Sequence, residues 1–316
     1  MRLGNRLPTI VGLLHAGAAV TLVFSLATFA DQLHRYLELF SHFRLQYLVV
    51  SLILGLILIA LRSRTWASLM VAITIVNALP VVPWYFAEAK PHAVADTQIE
   101  LLHANVYAGN PNTQALIELI AAEQPDVIFL QEVTDLWAAA MDGMHASYPH
   151  RYAIPRNDNF GIAVYARDPL LSVDVLDSPP LGFPSLVVRQ SLNGRTVTFV
   201  STHPIPPLGQ SGFDARNEQL AGIAAAIASI DGPKILVGDL NTTVWAHHYK
   251  QLRDATGLLN ARDGFGVIPS WPKHLPFAMI PIDHCLVSGD FAVQDIRTGP
   301  DIGSDHLPLL VTLALL

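Results

Sequence analysis

Charged residues are scarce in this 316-residue chain: Asp, Glu, Lys and Arg make up 14% of it, against 51% hydrophobic residues. Soluble globular chains carry about 25% of these four residue types, so part of this chain is expected to lie in lipid. The same composition excludes intrinsic disorder, which requires high charge and low apolar content. Cysteine is almost absent, since Cys285 is the only one, which excludes an internal disulfide and a zinc–cysteine cluster.

Three long runs contain no Asp, Glu, Lys or Arg: residues 8–30, 45–61 and 65–86. A helix that crosses a bilayer core needs about 20 apolar residues, with about 17 as the lower limit. Residues 1–90 are therefore predicted to form a membrane anchor of three transmembrane helices. The alternative for the first run is a cleaved signal peptide, but its apolar stretch exceeds the usual length of roughly 7–15 residues and two further runs follow it.

The arginines beside these runs predict an orientation. Arg2 and Arg6 precede the first run, and Arg62 and Arg64 separate the second from the third. Because basic residues favour the cytoplasmic side, three crossings place everything after residue 86 on the opposite face. The sequence thus predicts a multi-pass protein of the cell inner membrane whose C-terminal domain faces the periplasm or the cell exterior, with the lipid bilayer as a partner.

The net charge changes sign at residue 86. The first part has six basic and two acidic residues, a net charge of +4, whereas the remainder has 13 basic and 24 acidic residues, a net charge of −11. A domain this acidic lacks the electrostatic footprint of a general nucleic-acid binder. A local basic groove, or charge offset by a bound metal, is still compatible with it.

After a short tether at 87–96, the hydrophobic pattern alternates between strand-like and helix-like segments, and residues 91–316 are predicted to form one domain. The predicted strands are 97–106, 126–131, 161–166, 195–202, 234–238 and 282–288, and the predicted helices are 113–123 and 214–229. Such alternation indicates an α/β architecture.

Polar side chains follow or begin these apolar segments at six places, which are Asn105, Gln131-Glu132, Thr202-His203, the run from Gly238 to Asn241, Asp283-His284 and Ser304-Asp305-His306. The carboxyl ends of strands are where open α/β sheets gather ligand-binding groups. A turn or a cap would explain any one of these positions alone. Six of them along one domain favour a functional site.

These motifs resemble those of the endonuclease/exonuclease/phosphatase superfamily, in the family's order and across nearly all of 97–316. The matching residues are Asn105 in HANVY, Glu132 in LQEV, His203 in STHP, Asp239 and Asn241 in GDLNTT, Asp283 in IDHCLVS, and Asp305 and His306 in GSDHLP. The resemblance implies a four-layer α/β sandwich, with two mixed β-sheets face to face and helices outside, preceded by the three-helix transmembrane anchor. The family includes DNases, abasic-site nucleases, inositol-phosphate phosphatases and sphingomyelinases, so the substrate stays open.

The candidate metal ligands are oxygen atoms, and this predicts which metal ion the site binds. Glu132, Asp305 and the Asn105 amide suit Mg²⁺ or Mn²⁺, which bind carboxylate, carbonyl and water oxygens. The metal would act as a Lewis acid on the scissile phosphate. Zinc is the poorer choice because no Cys/His cluster has zinc spacing. No organic cofactor is predicted, and the sequence leaves the oligomeric state open.

The resemblance also implies that Asp283 orients His306. A neighbouring carboxylate favours the imidazolium and fixes its tautomer, so His306 either takes a proton from water or holds the phosphate as a cation. Asp239 is the other candidate base, and Asn241 and His203 are expected to donate to phosphate oxygens.

Three residues outside this set carry weaker expectations. Arg189 and Arg216 either reach a phosphate or lie on the solvated surface, and His284 is predicted to be a structural neighbour of Asp283.

The substrate separates the functional hypotheses. The first is a membrane-anchored, metal-dependent phosphodiesterase or phosphatase that acts on a lipid head group or a small phosphodiester. The apolar loop 269–281, with Trp271, Leu275, Phe277 and Met279, would touch lipid or pack over the sheet. The second is a membrane-anchored Mg²⁺-dependent endonuclease or exonuclease in which Trp271 stacks on a base. The third, a non-enzymatic binding module, is disfavoured because every expected acidic and histidine position is present.

Overall fold

The computed structural model describes residues 9–86 and 98–316. The chain divides into two compact units, the first ending at Pro83 and the second beginning at Trp84. Arg2, Arg6, the tether predicted at 87–96 and the first residue of the first predicted strand lie outside the described residues. The domain boundary between residues 90 and 91 stays a prediction.

The first unit is helical. Its helices are α1 (Ile10–Ala27), α2 (Arg35–Ser41), α3 (Arg44–Ala60) and α4 (Arg64–Val81). Two helical segments, Ile10–Ala30 and Arg64–Tyr85, are long and apolar enough to cross a membrane. Helix α3 has 17 residues, the lower limit for a span, and qualifies only together with α2, from which it is bent by 61°. Residues 9–86 and 98–316 therefore contain two candidate spans, or three if the bent pair counts as one, against three predicted.

Packing in this unit has apolar side chains on the outside and polar groups between the helices. Leu13 and Leu79 are more than half exposed, whereas Asn77 is fully buried. The Asn77 amide donates to Ser25 Oγ at 2.9 Å, and Thr74 Oγ1 donates to Ser51 Oγ at 3.0 Å. Helices that pack in lipid use small and polar residues in this way, because lipid solvates the apolar surface.

The second unit contains two six-stranded mixed sheets. In spatial order the first sheet has β11 (Phe291–Thr298), β12 (Leu309–Leu315), β1 (Gln98–Asn105), β2 (Val127–Gln131), β4 (Ile162–Ala166) and β3 (His150–Ile154). The second sheet has β5 (Leu170–Ser178), β6 (Phe183–Leu192), β7 (Arg195–Ser201), β8 (Lys234–Asp239), β10 (Asp283–Val287) and β9 (Leu259–Asn260). The pairs β1–β2 and β7–β8 are parallel and the others antiparallel.

A buried apolar layer joins the inner faces of the two sheets. Phe129 of β2 and Phe199 of β7 lie in it with ring centroids 5.5 Å apart. The outer face of the first sheet packs on α5 (Thr113–Glu123) and α6 (Asp135–Asp142), whose Leu116 and Trp137 share a second cluster with β-strand residues. Helix α7 (Gly209–Ala228) packs on α8 (His247–Thr256) and on β5 of the second sheet. The expected four-layer α/β sandwich is confirmed.

Strand direction places the carboxyl ends of the parallel strands of both sheets at one end of the sandwich. Strands β1 and β2 run parallel in the first sheet, as do β7 and β8 in the second, so their carboxyl ends meet at common edges. Strand β10 starts at the same edge, because Asp283 pairs with Asp239 at the end of β8. Strand β12 likewise starts opposite the end of β1. We refer to this end of the sandwich as the catalytic edge.

Candidate active site

The Asp283 carboxylate is held between two histidines. His306 Nδ1 lies 2.8 Å from Asp283 Oδ2, and His103 Nε2 lies 3.1 Å from Asp283 Oδ1. All three side chains are at least 94% buried. His306 comes from the loop before β12 and Asp283 from the first position of β10, so the pair joins the two sheets. The predicted Asp283–His306 contact is therefore present in the structure.

This pair perturbs both partners' pKa values. Burial lowers the pKa of His306, but attraction to Asp283 and its hydrogen bond, with help from Asp239 and Asp305, outweighs burial and raises this pKa to about 10. Burial raises the pKa of Asp283, yet attraction to His306 and hydrogen bonds from His103 and His306 hold it well below its usual range. His306 is consequently an imidazolium, and Asp283 a carboxylate, at neutral pH.

A second cluster of polar groups surrounds the Asn105 amide. Asn105 Nδ2 lies 3.0 Å from Glu132 Oε1 and 3.3 Å from Asp239 Oδ2. The backbone N–H of Ala108 donates to the other Glu132 oxygen at 2.9 Å, and that of Tyr107 donates to Asn105 Oδ1 at 3.0 Å. Two carboxylates, both at least nine-tenths buried, thus point at one amide.

Asp239 Oδ2 also faces two imidazoles. It lies 3.5 Å from His203 Nε2 and 3.7 Å from His306 Nε2, which are ion-pair rather than hydrogen-bond distances. The same oxygen therefore borders Asn105, His203 and His306. A phosphate placed here would meet two imidazoles and the amide.

Asn241 is positioned by its backbone as well as by its side chain. Its N–H donates to Asp239 Oδ1 at 2.8 Å, and its amide donates to the Pro204 carbonyl at 2.9 Å. The buried Arg216 donates to the Asn241 carbonyl at 2.8 Å. Arg216 therefore supports the loop after β8. The other arginine singled out from the sequence, Arg189, forms an exposed ion pair with Asp174.

The site contains left-handed backbone at three non-glycine residues. Glu132, Asn241 and Tyr107 have φ values of +61°, +49° and +59°. Each such residue costs on the order of 1–3 kcal/mol and persists only where its surroundings enforce it. Here the hydrogen bonds of Glu132 and Asn241 provide that enforcement, and the turns direct both side chains into the site.

Asp305 lies beside these groups and contacts the apolar loop that precedes β10. Trp271 Nε1 donates to Asp305 Oδ2 at 2.9 Å, and the Trp271 and His306 rings lie 6.2 Å apart. Within the described part of the chain, the His and carboxylate atoms close enough to share a metal ion belong to Asp239, Asp283 and His306. That group includes neither Asp305 nor Glu132, so the metal-ligand roles of Asn105, Glu132 and Asp305 stay predictions.

The donor atoms fit a divalent cation bound by oxygen. Glu132 and Asp239 bring two buried carboxylates to the same Asn105 nitrogen, and buried charges of like sign require compensation. Asp283 is close enough to Asp239 and His306 to share a metal ion with them. Because each of its oxygens already faces an imidazole, it is a poorer metal ligand than this proximity suggests. The carboxylate oxygens of Glu132 and Asp239 match the ligand types of Mg²⁺ and Mn²⁺. The Asn105 amide faces them with its NH₂ group, which donates, and its oxygen accepts from the Tyr107 N–H.

Two supporting residues were given no role of their own from the sequence. His103 stands two positions before Asn105 on β1, and strand alternation places both on one face, which was the available signal. Gln131 bridges the sheets, since its amide donates to the Thr202 carbonyl at 2.7 Å and its carbonyl accepts from the Asp239 N–H at 2.8 Å. The sequence placed Gln131 with Glu132 at the end of a predicted strand but did not indicate that its side chain reaches the other sheet.

His284 has the structural role expected of it. Its Nε2 lies 2.8 Å from the Thr242 carbonyl, and the buried Arg262 contacts its Nδ1 at 3.3 Å. Burial and then repulsion from Arg262 lower its pKa to about 3, so it is neutral. Arg262 also donates to the Asp283 backbone carbonyl, which secures the start of β10 from behind.

Comparison with known proteins identifies the family. The model of the Endonuclease/Exonuclease/phosphatase family matches residues 102–306. No curated protein sequence matches the chain significantly.

Solved structures share the fold. D. rerio TDP2 complexed with a single-strand DNA product is 16% identical, with a TM-score of 0.59, and the match covers 69% of this chain and 99% of that one. Sphingomyelinase C from Streptomyces griseocarneus is 16% identical, with a TM-score of 0.53 and coverages of 68% and 99%. The human Nocturnin catalytic domain with bound sulfate is 18% identical, with a TM-score of 0.57 and coverages of 71% and 96%.

Proposed function

Because the chain belongs to the endonuclease/exonuclease/phosphatase family and is a hydrolase of phosphoester bonds, we propose that it is a membrane-anchored, Mg²⁺- or Mn²⁺-dependent phosphodiesterase. Its proposed substrate is the phosphodiester of a lipid head group at the outer face of the cytoplasmic membrane. The observation that carries the chemistry is the convergence of Glu132, Asp239 and the Asp283–His306 pair on one buried site.

The proposed reaction uses the residues as follows. Glu132 would be among the ligands of a divalent ion, which when bound would supply Lewis-acid polarisation of the phosphoryl oxygens and the leaving oxygen. His306, held as a cation by Asp283, faces the phosphate through Nε2. His203 and Asn241 donate to phosphoryl oxygens. Since a protonated His306 cannot accept a proton, Asp239 takes the proton of the attacking water.

Exposed apolar side chains beside the catalytic edge, those of Phe277 and Leu208, form an apolar rim that supports a lipid substrate. Residues 271 and 280 pair as a β-bridge, so the segment between them forms a hairpin beside His306. Phe277 near its tip is 77% exposed, and Leu208, on the loop after His203, is 80% exposed. Large apolar side chains this exposed suit insertion into a bilayer surface.

Charge disfavours the nuclease alternative. The part of the chain after residue 86 carries a net charge of −11, which opposes the phosphate backbone of DNA. The Trp271 indole N–H is bound to Asp305, which limits its freedom to stack on a base. DNA nevertheless belongs in the test, because the site chemistry is the same for any phosphodiester.

The test is a substrate panel on the full chain in lipid nanodiscs, with Mg²⁺, Mn²⁺ or EDTA. We expect metal-dependent hydrolysis of phospholipid or sphingomyelin vesicles, with slower cleavage of single- and double-stranded DNA. DNA cleavage faster than that of every lipid would favour the nuclease. Hydrolysis of both classes that is equal in EDTA and in Mg²⁺ would contradict the metal assignment.

Matched variants test the lipid contact. Phe277→Ser should slow hydrolysis of vesicles but leave that of soluble bis-p-nitrophenyl phosphate unchanged. The control is Leu171→Ser, because Leu171 is 58% exposed and lies near the start of β5, at the opposite end of the sheet from the catalytic edge. Equal vesicle activity in both variants would remove the rim from the proposal.

A further inference from the structure

The carboxylate of Asp283 has two imidazole partners, of which the proposed reaction uses only His306. His103 faces the other carboxylate oxygen at 3.1 Å and has no solvent exposure. It comes from β1 in the first sheet, whereas Asp283 begins β10 in the second. The His103–Asp283 contact is therefore a hydrogen bond between the sheets, made next to the site by a residue with no assigned role.

Hydrogen-bond chemistry fixes the proton on His103. An ionised carboxylate only accepts hydrogen bonds, so the His103 nitrogen that faces Asp283, Nε2, must carry a proton. The other ring nitrogen, Nδ1, is buried and has no hydrogen-bond partner among the described residues. A proton there would be an unsatisfied buried donor. His103 is accordingly the neutral tautomer protonated at Nε2, and a fixed donor to Asp283.

The same reasoning applied to His306 shows what the second donor does. His306 Nδ1 also faces a carboxylate oxygen, so it carries a proton, and Nε2 is the nitrogen directed at Asp239. This arrangement requires one orientation of the Asp283 carboxylate, in which Oδ2 faces His306. A carboxylate with one partner can rotate about its Cβ–Cγ bond, whereas one with a donor on each oxygen cannot do so without losing a hydrogen bond.

We propose that His103 is a positioning residue: its Nε2–H fixes the Asp283 carboxylate in the orientation that directs His306 Nε2 into the site. The proposal rests on the proposed function in one respect, that the Asp283–His306 pair serves catalysis. The alternative is that His103 only fills space between the sheets, at the end of the inner face that Ile99 and Leu101 begin.

Two substitutions separate donor from filler. His103→Gln keeps an N–H donor near the position of Nε2, and His103→Phe keeps the ring volume but removes the donor. We expect kcat on bis-p-nitrophenyl phosphate to fall about 10- to 100-fold in His103→Phe, the usual scale for losing a supporting hydrogen bond. His103→Gln should stay within about threefold of the parent, and KM should change by less than about twofold in both, since the substrate contacts are intact.

The kinetic result has clear opposing outcomes. A folded His103→Phe variant with the parent kcat would overturn the proposal, as would a folded His103→Gln variant as slow as His103→Phe. In an Asp283→Asn background, His103→Phe should add little, because residues that act as one unit are non-additive. Full multiplicative loss in the double variant would show that His103 acts by another route.

A measurement independent of activity keeps the two proposals separable. In the full chain labelled with ¹⁵N-histidine, the His103 resonance, identified by its disappearance in His103→Phe, should have the shifts of a neutral ring protonated at Nε2. The Nδ1–H proton of His306 should shift or exchange faster in His103→Phe. A His103 ring protonated at Nδ1, or an unchanged His306 proton, would overturn the positioning role even if the enzyme proved inactive on every phosphodiester offered.

Discussion

Replacing Asp283 by asparagine tests the centre of the site most directly. Both ring nitrogens that face Asp283 are protonated, because a carboxylate accepts at both oxygens. An asparagine offers one acceptor and one donor. Whichever way its amide is turned, an N–H group opposes the N–H of His103 or of His306, so one imidazole must turn away or change its tautomer.

The burial of the Asp283–His306 pair sets the expected fall in kcat. His306 and Asp283 are at least 94% buried, and removing one partner of a buried, hydrogen-bonded ion pair costs about 3–5 kcal/mol. If that energy is lost from the transition state, kcat falls by about 10²- to 10⁴-fold. The corresponding change in a serine-protease triad lowers kcat by about 10⁴, which is the upper scale. The free energy of unfolding should fall by less than this penalty of about 3–5 kcal/mol, because the neutral amide also removes the cost of burying a charge.

The assay is steady-state hydrolysis of bis-p-nitrophenyl phosphate by the full chain in detergent with Mg²⁺ or Mn²⁺, alongside thermal unfolding. His306→Ala should reduce kcat at least as much as Asp283→Asn, and the double variant little more than the slower single one. Asp283→Asn with the parent kcat and an unchanged pH profile would refute the pairing and leave His306 to act alone.

Four further outcomes follow from the site and the anchor. Glu132→Gln should weaken Mg²⁺ or Mn²⁺ binding measured by calorimetry, because one anionic ligand is lost; unchanged affinity would remove Glu132 from the ligand set. In EDTA, the melting temperature should fall at both ends of the pH range. It should fall as pH drops below about 3.9, because Asp283, whose pKa is lowered, then loses its contribution to stability, and as pH rises through about 10, because His306, whose pKa is raised, then loses its contribution. Asp283→Asn should flatten the melting-temperature profile at both ends. Gly238→Ala should destabilise the fold by roughly 3 kcal/mol or more, because its Cβ would lie 2.1 Å from the Thr202 carbonyl oxygen, whereas the control Gly289→Ala, whose Cβ meets nothing within 4 Å, should not. A reporter fused after residue 316 should behave as exported, and a fusion that is fluorescent in the cytoplasm and protected from external protease would reverse the predicted orientation.

Six of the strands and the site motifs were predictable because their signals are local. Continuous apolar runs identified β2, β4, β8 and β10 to within one residue, and helix α5 spans the predicted 113–123. Helix α7 starts at Gly209 rather than at 214, since its first turn follows a proline-rich segment that has no helical spacing. Six of the described strands were not predicted. The half-exposed β3 and β5 carry no continuous apolar run, and β9 has only two residues. Strands β6 and β12 are largely buried and were missed together with β11.

Contacts between distant segments were harder to predict. His103 lies 180 positions from Asp283, and Trp271 lies 34 positions from Asp305; residue types and spacing do not encode such pairings. The Asp305 carboxylate was expected at the metal, and its contact with Trp271 depends on the fold of the hairpin 271–280. The second apolar run, predicted at 45–61, is helix α3. The intervening segment 31–44 was predicted as a loop, but it contains a further helix, α2, which meets α3 at 61°.

Gln131 has a consequence for how the enzyme acquires activity during folding. Its carboxamide spans from β2 to the backbone of Thr202 and Asp239 in the opposite sheet, at the level where Glu132 and Asp239 approach the Asn105 amide. Each sheet supplies only part of the reacting groups, so an intermediate with one sheet formed has no working centre. Recovery of turnover after dilution from denaturant should therefore lag behind recovery of secondary structure, and Gln131→Ala should lengthen that lag by removing the bridge that sets the register between the sheets.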